Sequence, residues 1–276
     1  MNKSEQIHNS LKSSKAIIIL TGAGMGIDSG LADYRGNSGQ WGKVEDDTSL
    51  NAIEVVNPKY FSEHTKYVWK MFAQRMLEYK NTKPHKGFEI LRKWIDDFNL
   101  DYFLITSNVD EHFIKSGFDD QKHRELHGNI FYMQCNKPCS KKVWRYDLEI
   151  EQLILDIENE KFPKCPDCGE LIRPNVYMFR DYAYISTRSD EKEKLFQEFL
   201  AKNKENEIIV FEIGSGPHVQ SIRKKTRMLG INYNAKIVRI NPKDFKIKEP
   251  HIGIDKGALE TLTEIDDFIT KIESRR

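Results

Sequence analysis

What this chain of 276 residues has little of narrows its class before any motif is considered. Cysteine is scarce: there are four, all between positions 135 and 168, too few and too clustered for the disulfide frame of a small secreted protein. No sign of charge is in excess. Lys and Arg number 43 against 42 Asp and Glu, a net charge of +1, so no global field draws the chain to nucleic acid or a membrane, and neither is expected as a partner. No apolar run approaches the roughly 20 residues needed to span a bilayer. Met1 to Ser14 is polar and lacks the apolar core and small-residue cleavage site of a secretory signal. Internal repeats, low-complexity linkers and long runs of like charge are also missing. These absences predict a soluble cytoplasmic protein.

What is there fits one sizeable α/β domain carrying a smaller module, since 39% hydrophobic residues suffice for a substantial core. Apolar, β-branched runs at Ala16 to Leu20, Tyr102 to Ile105, Ile208 to Ile213 and Lys236 to Ile240 read as buried strands, each ending where a polar or glycine-rich motif begins. Helical spacing appears at Pro84 to Phe98, Asp190 to Lys204, Val219 to Leu229 and Gly257 to Ile272, with Pro84 placed in a first turn. Such alternation predicts a mostly parallel, Rossmann-like sheet with helices on both faces and ligands at the carboxyl ends of its strands. Pro58 to Lys80 reads as one long helix forming a lid or wall, with Asn57-Pro58 as its start, and a further helix is expected around Asp147 to Glu158.

Chemistry-bearing residues cluster at the strand ends. Gly22-Ala23-Gly24 permits a sharp turn and close approach to a diphosphate, with free amides expected from the following helix; the alternative is a plain tight turn. Asp33-Tyr34-Arg35 places an anion, an aromatic face and a cation in one loop, to line a ligand or to form a stiffening ion pair. Ser107, Asn108 and Asp110 should project over the sheet edge, where Asn108 can donate and accept and Asp110 can hold a hydroxyl. His127 precedes Gly128; imidazole titrates near neutrality and suits a general base, although a histidine taken at random is more often structural. Gly214-Ser215-Gly216 could hold a diphosphate or ribose, or be an ordinary strand-to-helix turn. Cys135 and Cys139, then Cys165 and Cys168, are two short knuckles that can close a tetrahedron on Zn²⁺ with no open position; free thiols or redox pairs are the alternatives.

In this order the motifs resemble those of the sirtuins. The sirtuin Gly-Ala-Gly loop leads to Gly-Ile-Pro-Asp-Phe-Arg, here Gly30-Leu31-Ala32-Asp33-Tyr34-Arg35, and its Thr-Gln-Asn-Ile-Asp reads Thr106-Ser107-Asn108-Val109-Asp110. The His-Gly pair, the four-cysteine module and a strand ending in Ile240-Asn241 also match, so the likeness runs from about Ala16 to Asn241. Arg173-Pro174-Asn175-Val176-Tyr177-Met178-Phe179-Arg180-Asp181 is similar to the sirtuin segment Arg-Pro-x-Val-x-x-Phe-Gly-Glu, which pairs with an acyl-lysine peptide by strand addition.

The resemblance implies NAD-dependent removal of acyl groups from protein lysines, with release of nicotinamide and O-acyl-ADP-ribose. It implies His127 as base, with Asn108 and Asp110 orienting ribose and water. NAD would be held by Gly22, Ala23, Gly24, Asp33, Tyr34, Arg35, Ser107, Asn108, Asp110, Gly214, Ser215 and Asn241, and the peptide by Val176, Met178 and Phe179. The implied organisation is a Rossmann-like NAD-binding domain over 1–129 and 173–276, with a helical lid at about 37–83, and a zinc module over 130–172. Gly26, Ser107 and Arg180 depart from the usual sirtuin residues. Mono-ADP-ribosyl transfer or NAD hydrolysis on the same fold is therefore the alternative activity, and a non-catalytic NAD or ADP-ribose sensor a more distant one. The Tyr-x-x-Arg pair of desuccinylase-type sirtuins is absent, the nearest being Tyr67-x-x-Lys70, so short or unbranched acyl groups are expected.

Overall fold

The apolar runs become neighbouring strands of one parallel sheet. The computed structural model describes residues 2–31, 56–147, 149–217 and 219–275, so Asp33, Tyr34 and Arg35, and the expected lid up to residue 55, lie outside the described residues. Helix α1 (Lys3–Ser13), strand β1 (Ala16–Thr21) and the one-turn helix α2 (Gly24–Ile27) come first. They are followed by α3 (Tyr60–Glu63), α4 (Thr65–Asn81), α5 (Lys86–Asp97), β2 (Asp101–Thr106), α6 (His112–Lys115) and β3 (His123–Glu125). Next come β4 (Gly128–Cys135), β5 (Trp144–Arg145), α7 (Ile150–Glu158) and β6 (Ile172–Val176). The last elements are α8 (Thr187–Lys202), β7 (Ile208–Ile213), α9 (Ser221–Asn232), β8 (Lys236–Ile240), β9 (Ile252–Ile254) and α10 (Ala258–Glu273).

Six strands form a sheet in the order β3-β2-β1-β7-β8-β9, and every pair is parallel. The strand order reverses between β1 and β7, the position at which such sheets take ligands beyond their carboxyl ends. Side chains alternate across a strand, so β1 serves two cores at once. Ile17 and Ile19 pack with Leu11 of α1, Phe88, Leu91 and Trp94 of α5 and Leu262 of α10. Ala16, Ile18 and Leu20 face the other layer, with Phe196 and Leu200 of α8 and Ile222 and Leu229 of α9. Every residue of β1 and β7 is buried. At about 1.5–3 kcal/mol for each large side chain taken from water, these two strands anchor the sheet.

A second, antiparallel sheet has the order β5-β4-β6. Its apolar cluster joins Ile130, Met133, Leu153, Ile157 and Ile172 to Phe61, Val68, Trp69, Phe72 and Met76, so α3 and α4 share a core with the cysteine-bearing segment. The single helix expected from Pro58 to Lys80 is interrupted at His64, where φ is −133° and ψ 46°. The break lets Phe61 meet both Trp69, with ring centroids 5.8 Å apart, and Phe72, at 5.4 Å, which one continuous helix does not require. Pro84 lies outside α5 rather than in its first turn. His85 caps the helix because its Nδ1 can accept the Gly87 amide at 3.0 Å, which proline cannot do. No helix among the described residues is long and apolar enough to cross a membrane.

Candidate active site and metal centre

Parallel register carries five distant segments to one edge. Beyond the last paired residues, the Gly22 amide donates to Ile213 O at 3.0 Å and the Ser107 amide to Thr21 O at 3.0 Å. The Leu126 amide donates to Thr106 O at 2.8 Å, that of Gly214 to Ile240 O at 2.9 Å and that of Asn241 to Ile254 O at 3.1 Å. His127 is thereby set just past β3, next to the ends of β2 and β1. A hydroxyl pair, Thr21 Oγ1 donating to Thr106 Oγ1 at 2.8 Å, locks those two strand ends together.

At this end of the crevice the polar groups are incompletely matched. Asn108 is buried; its Nδ2 donates to Gly22 O at 3.1 Å, while its Oδ1 has no hydrogen-bond partner among the described residues. A buried orphan acceptor costs free energy unless something arrives to donate to it. Asp110 is also buried, and loss of hydration pushes its carboxyl up to about 6, against the opposing effects of the His112 amide, which donates to Oδ1 at 3.0 Å, and the Lys115 charge. His127 is half-buried; desolvation holds its pKa below the ordinary value, partly offset by a backbone hydrogen bond with Ser107. The ring is therefore neutral near pH 7 and able to take a proton. The Ser107 hydroxyl turns back to Thr21 O at 3.3 Å.

The glycine loop has a different reason for lacking side chains than the sequence suggests. A Cβ on Gly24 would stand 2.6 Å from the Gly214 Cα, and one on Gly22 would be 2.8 Å from Gly214 O. Gly214 has φ +66°, and its own Cβ would meet the Gly24 backbone at 2.5 Å. The two loops thus pack backbone against backbone, which only glycine allows. The expected free amides of the following helix are spent: Gly24 donates to Gly214 O at 3.1 Å, Met25 to Gly22 O at 3.0 Å and Gly26 to Ala23 O at 3.0 Å. An uncapped start belongs instead to α9, whose first residue, Ser221, carries a buried hydroxyl without a partner among the described residues.

The far end of the crevice is closed on itself. The Ser215 hydroxyl donates to Glu212 Oε1 at 2.7 Å, and Glu212, fully buried, takes Arg239 Nε at 2.7 Å and Nη2 at 3.1 Å. Asn241 Nδ2 donates to Ser215 O at 3.0 Å, while its Oδ1 accepts the amides of Lys243 at 2.9 Å and Asp244 at 2.8 Å. Ser215 and Asn241, both expected at the nucleotide, thus also brace the loop that carries them. A charged residue inside the apolar run Ile208 to Ile213 was the available signal for Glu212.

A second buried network escaped the sequence reading. Asn129 Nδ2 donates to Glu125 Oε1 at 2.7 Å and to Glu111 Oε1 at 3.1 Å, tying the segment after Asp110 to that around His127. Arg145 of β5 binds Glu111 through two contacts, at 2.7 and 3.1 Å, and Arg188 pairs with Glu125 and Asp120. Burial raises the Glu125 carboxyl to about 7 against the pull of Arg188. The flanking polar letters of Glu125-Leu126-His127-Gly128-Asn129 were the only trace of this in the chain.

The four cysteines converge. One Sγ from each of Cys135, Cys139, Cys165 and Cys168 lies within 4.8 Å of all the others, with Cys135 to Cys168 and Cys139 to Cys165 both at 3.7 Å. A tetrahedral zinc with bonds of about 2.3 Å needs S–S edges of about 3.8 Å, so the donor set fits a structural zinc site. These separations are far beyond a disulfide's roughly 2.05 Å, and all four thiols are free.

Of the expected groove residues, Val176 ends edge strand β6, opposite Gly128, and Tyr177 donates its amide to His127 O at 2.9 Å. Phe179 is 36% exposed, whereas Met178 is buried in the cluster with α4 and takes a supporting place beneath the segment.

Comparison with known proteins identifies the family and the fold. A profile described as the Sir2 family matches residues 22–221. A protein of Pyrococcus abyssi named NAD-dependent protein deacylase is 34% identical over 169 residues, 61% of this chain and 62% of that protein. The chain spans about three fifths of the length of the curated relatives it matches. A solved Sir2 homologue mutant in complex with ADP ribose superposes with a TM-score of 0.76 at 22% identity, covering 100% of this chain and 99% of the other. A structure described as Sir2Tm bound to a propionylated peptide gives 0.71 at 20% identity, covering 97% and 98%. At these identities the two structures establish the shared fold.

Proposed function

The chain belongs to the Sir2 family, and from that premise we propose that it is an NAD-dependent enzyme that removes acyl groups from lysines of proteins. The observation that carries this reading is the unmatched end of the crevice: a neutral His127 beside a buried Asn108 whose Oδ1 awaits a donor and an Asp110 stripped of water. NAD, when bound, supplies an electrophilic ribose carbon and the ADP-ribose that takes up the acyl group. Asn108 Oδ1 accepts a hydrogen bond from a ribose or amide donor, and His127 takes the proton of a ribose hydroxyl. Asp110 orients that hydroxyl or a water, and burial keeps bulk solvent out. The Gly214 to Gly216 loop, the Ser221 hydroxyl and the uncapped first turn of α9 suit the diphosphate, with Gly22, Ala23 and Gly24 packed directly against Gly214 on the same side of the site. By family resemblance, Asp33, Tyr34 and Arg35, which lie outside the described residues, are further candidates for NAD contact.

The acyl peptide lies along the edge of β6, past Val176 and Phe179, with its lysine directed to His127. Zinc is held by the four cysteines with no position left for water, so it braces the β4–β6 module. The test is to incubate the protein with NAD and acetylated, myristoylated or unmodified peptides and weigh the products. O-acyl-ADP-ribose and nicotinamide are expected from acylated peptides alone. ADP-ribosylated peptide or free ADP-ribose without deacylation would assign the alternative activity, and NAD binding without nicotinamide release would leave a sensor.

A further inference from the structure

Between Leu171 and Ser189 the chain has a single carboxylate, Asp181, and it is committed to the interior. Its Oδ1 takes Arg173 Nη2 at 2.8 Å and the Ala183 amide at 3.2 Å, its Oδ2 takes the Met178 amide at 3.4 Å, and the Arg173 and Asp181 side chains are both wholly buried. The neighbouring cation, Arg180, is exposed and has no ion pair among the described residues. Its backbone has φ +55°, a left-handed conformation natural to glycine and costly for arginine. The position thus keeps a glycine's geometry while presenting a guanidinium. Around it the surface is aromatic and uncovered: Tyr177 is 53% exposed and Tyr182 98%.

The location makes this charge relevant to substrate. Tyr177 is hydrogen-bonded to His127 O, and Arg180 follows three residues later, so its backbone stands at most about 11 Å, or three extended peptide residues, from the point where this segment meets the His127 backbone. The Arg173–Asp181 pair pins from beneath the backbone that carries Arg180, so the point from which the cation projects is fixed before any ligand arrives.

We propose that Arg180 makes this enzyme selective for substrates that bring a carboxylate to the groove, foremost an Asp or Glu side chain next to the acylated lysine. The proposal rests on the deacylase reading and names the substrate class of that same site. An exposed guanidinium–carboxylate contact corresponds to a preference of up to about fivefold.

The experiment compares kcat/KM for one acetyl-lysine peptide flanked by Asp, by Ser or by Lys, together with the Ser-flanked peptide carrying succinyl-lysine. The wild type and Arg180→Gly and Arg180→Glu variants are measured side by side. The Gly variant suits the φ of this position and should fold at least as well. Preference for the Asp-flanked peptide that vanishes in Arg180→Gly and reverses in Arg180→Glu confirms the proposal. The same pattern confined to succinyl-lysine places the recognised carboxylate on the acyl group. Equal turnover of all flanks and acyl groups by the wild type, or a preference that survives Arg180→Gly, overturns it while leaving the deacylase reading intact. Absence of nicotinamide release with every acylated peptide defeats that reading and this proposal together.

Discussion

The two ends of the crevice are built alike, from loops that follow adjacent parallel strands, yet they treat their polar atoms in opposite ways. At the Gly214 end Glu212, Arg239, Ser215 and Asn241 satisfy one another. At the His127 end Asn108 Oδ1 is orphaned, the Asp110 carboxyl is pushed up to about 6 and the imidazole is kept neutral. A satisfied network fixes shape; an unsatisfied one stores a demand that a ligand can meet. On the proposed function, the difference gives scaffolding to one end and chemistry to the other.

The largest expected way to sharpen this contrast is His127→Ala. It should lower kcat by about 10²–10⁴-fold, as loss of a general base does, while NAD affinity by calorimetry and zinc content stay unchanged. Unchanged deacylation would remove His127 from the chemistry. Next is Glu212→Gln, which leaves Arg239 facing a neutral partner in a buried site. A loss of about 3–5 kcal/mol in urea unfolding is expected, and a nearly neutral result would break the scaffolding assignment.

Asp110→Asn should do the reverse of Glu212→Gln and trade activity for stability. Because burial raises the folded-state pKa of Asp110 from 3.8 to about 6, its favourable contribution is fully present below the unfolded value and lost as pH rises through about 6. The Asn variant is therefore expected to be more stable than wild type by roughly 2–3 kcal/mol at pH 7, with the gain disappearing below about pH 4, and slower in turnover. A variant less stable at pH 7 would contradict the sign. In wild type, the acid limb of the pH–rate profile should have its midpoint below about 6.5, since His127 titrates lower than a free imidazole. Last, Ser215→Ala should cost about 1 kcal/mol of stability and little NAD affinity. A tenfold loss of affinity with no change in stability would show that the satisfied end also reads the ligand.

Strand cores were easy to read from the chain because uninterrupted β-branched runs such as Ile208 to Ile213 have few ways to hide other than in a two-sided sheet. The cysteine spacing was equally legible, since a tetrahedron needs only two short knuckles. Helix breaks were less so: nothing in the spacing of Phe61, Val68, Phe72 and Met76 marks His64 as the interruption, which follows from how Phe61 packs on Trp69. The three-residue strand β3 was missed because so short a run has no period to detect.

By itself the amino-acid order determined which residues could do chemistry and that they stand where strands end, because period and turn chemistry are local properties. Only the folded arrangement decided how those residues are used. Whether Gly24 clears space for a ligand or for Gly214, whether Ser215 and Asn241 are free or spent, and whether Asp181 leaves Arg180 uncompensated all depend on contacts between segments far apart in the chain. Hydrogen-bond satisfaction and desolvation are sums over such contacts, so they exist only once the sheet has set its strand order.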